Sequence, residues 1–123
     1  FIAVMPASLV FDYLGTTLNG PRAERARTVV NWRFTDTNET LVSTLDHAAL
    51  THVVGRSVPA ADLSVTTTRR VFNAVVLRQR TVDDAQRNGE MTVTGAAARL
   101  AELFSYFDDL DPAFPIVEPR RPR

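Results

Sequence analysis

The chain has 123 residues, with 14 basic and 14 acidic side chains in balance, 45% hydrophobic residues and no cysteine. A domain of this size buries about two-thirds of the surface its unfolded form exposes, so it can close a core without disulfide or metal staples. Without thiols there is no thiol catalysis, iron-sulfur cluster or thiolate zinc site and no pointer to a compartment; zero formal charge argues against nucleic acid or an anionic membrane as partner, and no run approaches the ~18 apolar residues of a bilayer span.

Every basic residue is an arginine, a bias of composition rather than a chemical signature. Residues 1–5, apolar at Phe1, Ile2, Val4 and Met5, open without an initiator methionine and read as a linker or the remnant of a longer chain. Pro6 suits a first helical turn, and Leu9, Val10, Tyr13, Leu14 and Leu18 follow at helical spacing until Asn19-Gly20-Pro21. Residues 22–26 form a polar connector. From Thr28 the period becomes two, with Val30, Trp32 and Phe34 on one face and Asn31 and Arg33 on the other. Turn chemistry at residues 35–38 leads into a strand over 40–45, a second turn at 46–49, a strand over 50–54, a loop with Pro59, and a threonine-rich strand over 63–67. Such closely spaced strands suggest an antiparallel meander or something close to it.

Thr67 and Thr68 can cap a helix over 69–79 with Phe72, Val75, Val76 and Leu77 inward. Thr81 opens a short helix that Asn88-Gly89 closes, and a fifth strand over 90–94 carries Met91 and Val93 inward. After Gly95, residues 96–109 form an amphipathic helix whose stripe is Ala97, Leu100, Leu103, Phe104 and Phe107. Asp111-Pro112 ends it, and the apolar Phe114 to Val117 dock before a basic tail at 120–123. Helix, four strands, two helices, strand, helix, without βαβ alternation, is an α+β pattern with helices mostly on one face.

Reactive constellations are absent from the pattern. His47 and His52, five apart in a turn and the next strand, have no reason to converge on a metal, and none of the serines sits in a nucleophile elbow. Asp108, Asp109 and Asp111 sit where a helix ends beside proline and read as turn and cap residues. Arg69 and Arg70 stand at a helix start, where the dipole disfavours cations, and are easier to understand beside a carboxylate or an anionic ligand. The glycines are scattered and form no phosphate loop. What remains is shape: Trp32, Phe34, Phe72, Phe104, Phe107 and Phe114 are either core or ligand wall, and composition does not separate the two.

Leu9-Val10-Phe11-Asp12-Tyr13-Leu14 with Leu18-Asn19-Gly20-Pro21, then Asn31-Trp32-Arg33-Phe34-Thr35-Asp36-Thr37, the segment 63–69, Asn88-Gly89 and Val93-Thr94-Gly95, and above all Leu100 to Phe104 with Phe107 to Pro119 resemble the carboxy-terminal domain of bacterial alkyl sulfatases, a module of the sterol carrier protein 2 type. Ala96 departs from that pattern, where related domains often carry aspartate, so the helix start there lacks its usual cap. The resemblance covers residues 6–119 and implies a five-stranded, mostly antiparallel sheet with helices on one face, enclosing a hydrophobic groove or tunnel for an aliphatic chain. On that footing the wall comes from Trp32, Phe34, Phe72, Val75, Val76, Leu100, Phe104 and Phe107, with Arg69 facing an anionic head group. In the parent enzymes a separate metallo-β-lactamase-like domain binds zinc and hydrolyses the sulfate ester. Its histidine-rich motif has no counterpart here, so the resemblance implies no cofactor and no catalysis in this chain. The implied partners are an aliphatic molecule or lipid and the catalytic domain of the same parent, in a bacterial cytoplasm, periplasm or medium. The other class left open is a docking or oligomerisation module whose core its own side chains fill.

Overall fold

The computed structural model describes residues 6–108. The linker at 1–5, the acidic pair Asp109 and Asp111, the apolar tail with Phe114 and the basic end at 120–123 lie outside the described residues.

Helix α1 (Ala7–Thr16) starts after Pro6 and buries Ala7, Val10, Phe11 and Leu14, a stripe at i, i+3, i+4 and i+7. This differs from the expected stripe: Phe11 turns inward, whereas Leu9 is half exposed. Asn19-Gly20-Pro21, read as a stop, starts a new element. The Asn19 carboxamide accepts the Arg22 N–H at 3.1 Å, and Pro21 falls in the first turn of α2 (Gly20–Ala23), where its missing N–H is harmless.

Five strands follow the predicted windows closely: β1 (Thr28–Phe34), β2 (Glu39–Asp46), β3 (Ala49–Val54), β4 (Leu63–Thr67) and, later in the chain, β5 (Met91–Gly95). The β2–β3 turn holds His47 and Ala48 at φ of 51° and 58°, the left-handed pair that a two-residue hairpin needs. The meander does not run through. The sheet order is β3-β2-β1-β4-β5, and β4 lies parallel to β1 while the other pairings are antiparallel. Parallel pairing requires the chain to return from one end of the sheet to the other. Residues 55–62 can do this, since eight residues reach roughly 26 Å when extended. Asn31 fixes their path, donating to the Val58 carbonyl at 2.8 Å and accepting the Val58 N–H at 2.9 Å. The polar face of β1 therefore carries the crossover, which leaves the opposite face free for the helices.

Helix α3 (Arg69–Val76) is capped by Thr68, whose hydroxyl accepts the Val71 N–H, and α4 (Val82–Arg87) by Thr81, which accepts the Asp84 N–H. Helix α3 is shorter than predicted because Arg78 takes a φ of 63°, which breaks the helical turn. Helix α5 (Ala98–Phe104) begins without a side-chain cap, as Ala96 foreshadows, and ends before Phe107, which instead bridges to Leu18. Against the sheet's Val30, Trp32, Phe34, Leu41, Leu63 and Val65, the helices set Phe11, Phe72 and Leu100, and this is the core.

Gly95 is held tightly where β5 ends. At φ of 94°, a Cβ there would lie 2.6 Å from the Asp62 carbonyl oxygen, a backbone atom that cannot swing away. Gly95→Ala should cost about 2 kcal/mol through left-handed strain and forced separation of β4 and β5. Urea denaturation checks this, and an unchanged midpoint would show that the strand end relaxes freely.

Candidate binding site

Helices α3, α4 and α5 converge around an open cleft of about 280 Å³. Its apolar lining is Val75, Val82, Ala101 and Phe104, and its polar lining includes Arg78, Arg80 and Asp83. The residues arrive there for local reasons. Val82 follows the Thr81 cap at the first position of α4, and Ala101 and Phe104 are three apart on α5, hence on one side of it. Arg80 is held by Glu90 at 2.6 Å, and that hydrogen bond keeps the Glu90 carboxyl below its ordinary value. Arg78 donates to the Phe107 carbonyl at 2.6 Å.

Phe104 connects the cleft to an aromatic cluster behind it. Its ring meets Trp32 edge-on at 6.3 Å and Phe72 at 6.5 Å. Phe72 in turn packs on Phe11 at 5.4 Å, Trp32 at 5.2 Å and Phe34 at 5.0 Å. Trp32 satisfies its buried N–H by donating to the Ser43 hydroxyl at 2.8 Å.

The predicted wall thus divides. Val75 and Phe104 reach the cleft. Trp32, Phe34, Phe72, Val76, Leu100 and Phe107 are buried against one another, and the layer between sheet and helices is packed with their side chains. Arg69 is not presented to solvent. Its side chain is 0% exposed, lies over the Phe34 ring at 5.8 Å, and donates to Glu39 at 2.7 Å. An anionic head group at this guanidinium would have to compete with a carboxylate already in place. Sequence reasoning missed Val82, Ala101, Arg78 and Arg80. Val82 was legible from the Thr81 cap, and Ala101 from its i, i+3 spacing to Phe104. The arginines carried no signal.

Two further clefts lie elsewhere. One of about 550 Å³ at the start of α3 is lined by threonines, Val71, Asp36, Arg70 and Glu90, and another of about 450 Å³ gathers Arg22, Arg25, Arg27 and Arg99. In the latter, Arg99 is bound to Asp62 at 3.1 Å and Arg27 lies 3.7 Å from Asp46. Val71 is the one large aliphatic side chain of the first, and the second has no aliphatic side chain larger than Ala26. Among the described residues no three His, Cys, Asp or Glu side chains gather as a metal site. His47 is exposed in its turn, whereas His52 is tucked beside Phe11 with Asp12 at 3.8 Å. No helix among the described residues is long and apolar enough to cross a membrane.

Comparison with known proteins bears on the family and the fold. The family profile described as alkyl sulfatase C-terminal matches residues 1–119. The alkyl/aryl-sulfatase BDS1 of Saccharomyces cerevisiae is 39% identical over 118 residues, which are 96% of this chain and 18% of that protein. The chain therefore spans under a fifth of the length of that curated relative. The solved sec-alkylsulfatase Pisa1 from Pseudomonas superposes with a TM-score of 0.84 at 27% identity, covering 89% of this chain and 17% of that one. Sterol carrier protein 2 from Aedes aegypti, solved with the fatty acid palmitate, shares the fold at a TM-score of 0.55 and 17% identity, covering 79% of this chain and 96% of that one.

Proposed function

Because this chain belongs to the alkyl sulfatase C-terminal domain family, we propose that it is a non-catalytic accessory domain that binds the aliphatic chain of alkyl sulfates or related lipids for a catalytic domain elsewhere in a longer protein. The observation that carries this reading is the apolar cleft floored by Val75, Val82, Ala101 and Phe104 with arginines at its border. Apolar lining with a few polar groups at the mouth is the usual make-up of a small-molecule site, and about 280 Å³ lies just under the usual range of roughly 300–1,000 Å³. The other six of the predicted wall residues, Trp32, Phe34, Phe72, Val76, Leu100 and Phe107, form the packed layer behind the cleft, where Trp32 and Phe72 meet the Phe104 ring. Zinc and ester hydrolysis, on this reading, belong to the rest of the longer protein.

The energetics suit recruitment rather than tight capture. At ~0.8 kcal/mol per buried methylene, a chain of about twelve carbons offers roughly 10 kcal/mol gross. Lost freedom on association removes an estimated 4 to 15 kcal/mol, so binding is weak to micromolar. A tethered domain still raises substrate concentration near its catalytic partner. Phe104→Asp puts a charge into the cleft and should weaken uptake of a fluorescent fatty-acid probe at least ten-fold, with the circular dichroism unchanged. Equal uptake by variant and parent would refute the assignment of the cleft. Turnover of an alkyl sulfate by the isolated chain with added zinc would refute its non-catalytic role.

The packed ring cluster favours a second reading, a docking module with a filled core, for which Leu9, Val53 and Val54 are the exposed large apolar side chains among the described residues. It predicts self-association or partner binding with no probe uptake.

A further inference from the structure

Strand β3 is an edge of the sheet, and β2 occupies only one side of it. The register tells which backbone groups are left over. The Gly55 N–H donates to the Thr40 carbonyl at 2.8 Å, so Thr40 and Gly55 form a hydrogen-bonded pair of the antiparallel ladder. Bonded and non-bonded pairs alternate. Ala49, Thr51 and Val53 therefore spend their N–H and C=O groups on β2, while those of Leu50, His52 and Val54 point out of the sheet. Nothing among the described residues bonds them, although α1 sets Phe11 beside His52 on one face of the strand. A row of free N–H and C=O groups is a template for another strand, and edges are ordinarily guarded by a charge, a proline or a bulge. Residues 49–54 contain no lysine, arginine, carboxylate or proline, and they pair with β2 without a bulge. The strand also ends on Val53 and Val54, which are 51% and 62% exposed, whereas β5 at the opposite edge has no exposed large apolar side chain.

The complement of such an edge is a strand, and β3 complements itself. Laid antiparallel about a two-fold axis at His52, the outward groups of Leu50 meet those of Val54 in a second copy, and His52 meets its own counterpart, so each of these N–H groups finds a carbonyl. A register shifted by two residues leaves outward groups unbonded at both ends. Side chains agree with the unshifted one: Val54 stands opposite Leu50 of the second copy and Val53 opposite its Thr51, apolar and β-branched pairs of the kind that stabilise sheets. Charge agrees at the ends. Arg56 is exposed and makes no ion pair among the described residues, and it follows the end of β3 that meets the β2–β3 turn of the second copy. At that turn the Asp46 side chain is 39% exposed, with its own Arg27 no closer than 3.7 Å. We propose that two copies of this chain associate edge to edge through β3, joining their five-stranded sheets into one continuous sheet. No residue of β3 lines the cleft of α3, α4 and α5, so the pairing holds whether or not that cleft takes a ligand.

The test follows the 123-residue chain by sedimentation from micromolar to near-millimolar concentration, with amide hydrogen exchange read residue by residue at both ends of that range. The expected result is a monomer that becomes a dimer as concentration rises. In the dimer the Leu50, His52 and Val54 amides should exchange at least ten-fold more slowly than in the monomer, while Thr51 and Val53, already bonded to β2, change less than two-fold. Val54→Pro removes an outward N–H without touching the β2 ladder, a place where an edge strand tolerates proline, and should weaken dimerisation at least ten-fold. Should it fail to fold, Val54→Lys, a change at a side chain already 62% exposed, carries the same comparison. A chain that stays monomeric throughout overturns the inference. So does a dimer whose Leu50, His52 and Val54 amides exchange as fast as the monomer's, or one that the folded position-54 variant forms as tightly as the parent.

Discussion

Phe72→Ala is expected to lower the stability of the domain by about 4 kcal/mol, within the range of about 3–5 kcal/mol for deleting a fully buried phenylalanine. The ring is 0% exposed and touches Phe11, Trp32, Phe34 and Phe104. These four belong to α1, β1 and α5, so truncation opens a hole where three elements meet, and no single neighbour can move to fill it. Aromatic pairs add roughly 0.5–1.5 kcal/mol each beyond their buried area, and several are lost together. For a domain of this length the melting temperature should fall by roughly 10–15 °C. Trp32 is the single tryptophan of the chain and lies 5.2 Å from Phe72, so its fluorescence reports the same event in a urea titration. A loss under about 1.5 kcal/mol would mean that the layer collapses onto the gap and that the ring does not hold the helices in place.

The same variant bears on function. Phe72 packs behind Phe104, which lines the cleft, so the space vacated by the ring adjoins it, and a fatty-acid probe should recover more of the lost melting temperature in Phe72→Ala than it adds to the parent chain. An equal increment in both would place the ligand away from Phe104.

How much of this could be read from the sequence depended on whether the signal was local. The alternation of Val30, Trp32 and Phe34 and the caps Thr68 and Thr81 are local facts, and the strands and helix starts stand where they predicted. The parallel pairing of β4 with β1 was not legible, because it is decided by a crossover that Asn31 pins from the far face, and a lone asparagine in a strand looks like solvent-facing filler. Asn19-Gly20-Pro21 was misread for a related reason: the residues that end one helix also begin another, and only the direction of the Asn19 hydrogen bond tells them apart. At the site, Val75 and Phe104 were found by apolar spacing, but burial alone cannot say which apolar side chain faces an opening and which faces a neighbour. Trp32, Phe34 and Leu100 share that signature and face neighbours. Arg69 was singled out by an unfavourable helix position, and of the two explanations weighed, a carboxylate or a ligand, the structure supplies the carboxylate.

That carboxylate sets up the second large effect. Glu39, the first residue of β2, ties three elements together: it accepts the backbone N–H of Ala7 at the start of α1 at 2.8 Å, the Thr37 hydroxyl at 2.7 Å, and the guanidinium of Arg69 at the start of α3 at 2.7 Å. The two charges are unequally placed, since the Arg69 side chain is 0% exposed and that of Glu39 is 27% exposed. Removing the carboxylate charge with Glu39→Gln takes a charged partner from a wholly buried cation and should cost about 3 kcal/mol, whereas Arg69→Met leaves a carboxylate that water still reaches and should cost less, about 1–2 kcal/mol. The double variant should fall below the sum, because the two changes remove the same ion pair. Burial pushes the Glu39 carboxyl up, but the Ala7 N–H, the Thr37 hydroxyl and Arg69 together outweigh it and hold it below the ordinary value of 4.5. A carboxyl depressed on folding gives stability that is fully present above the unfolded-state value and is lost as pH falls through the folded-state one. The parent chain should therefore lose stability below about pH 4.5, and Glu39→Gln should show a shallower decline over that window. Parallel declines, or a glutamine variant no less stable than the methionine one, would show that the folding of α1 and α3 onto β2 does not depend on this charge.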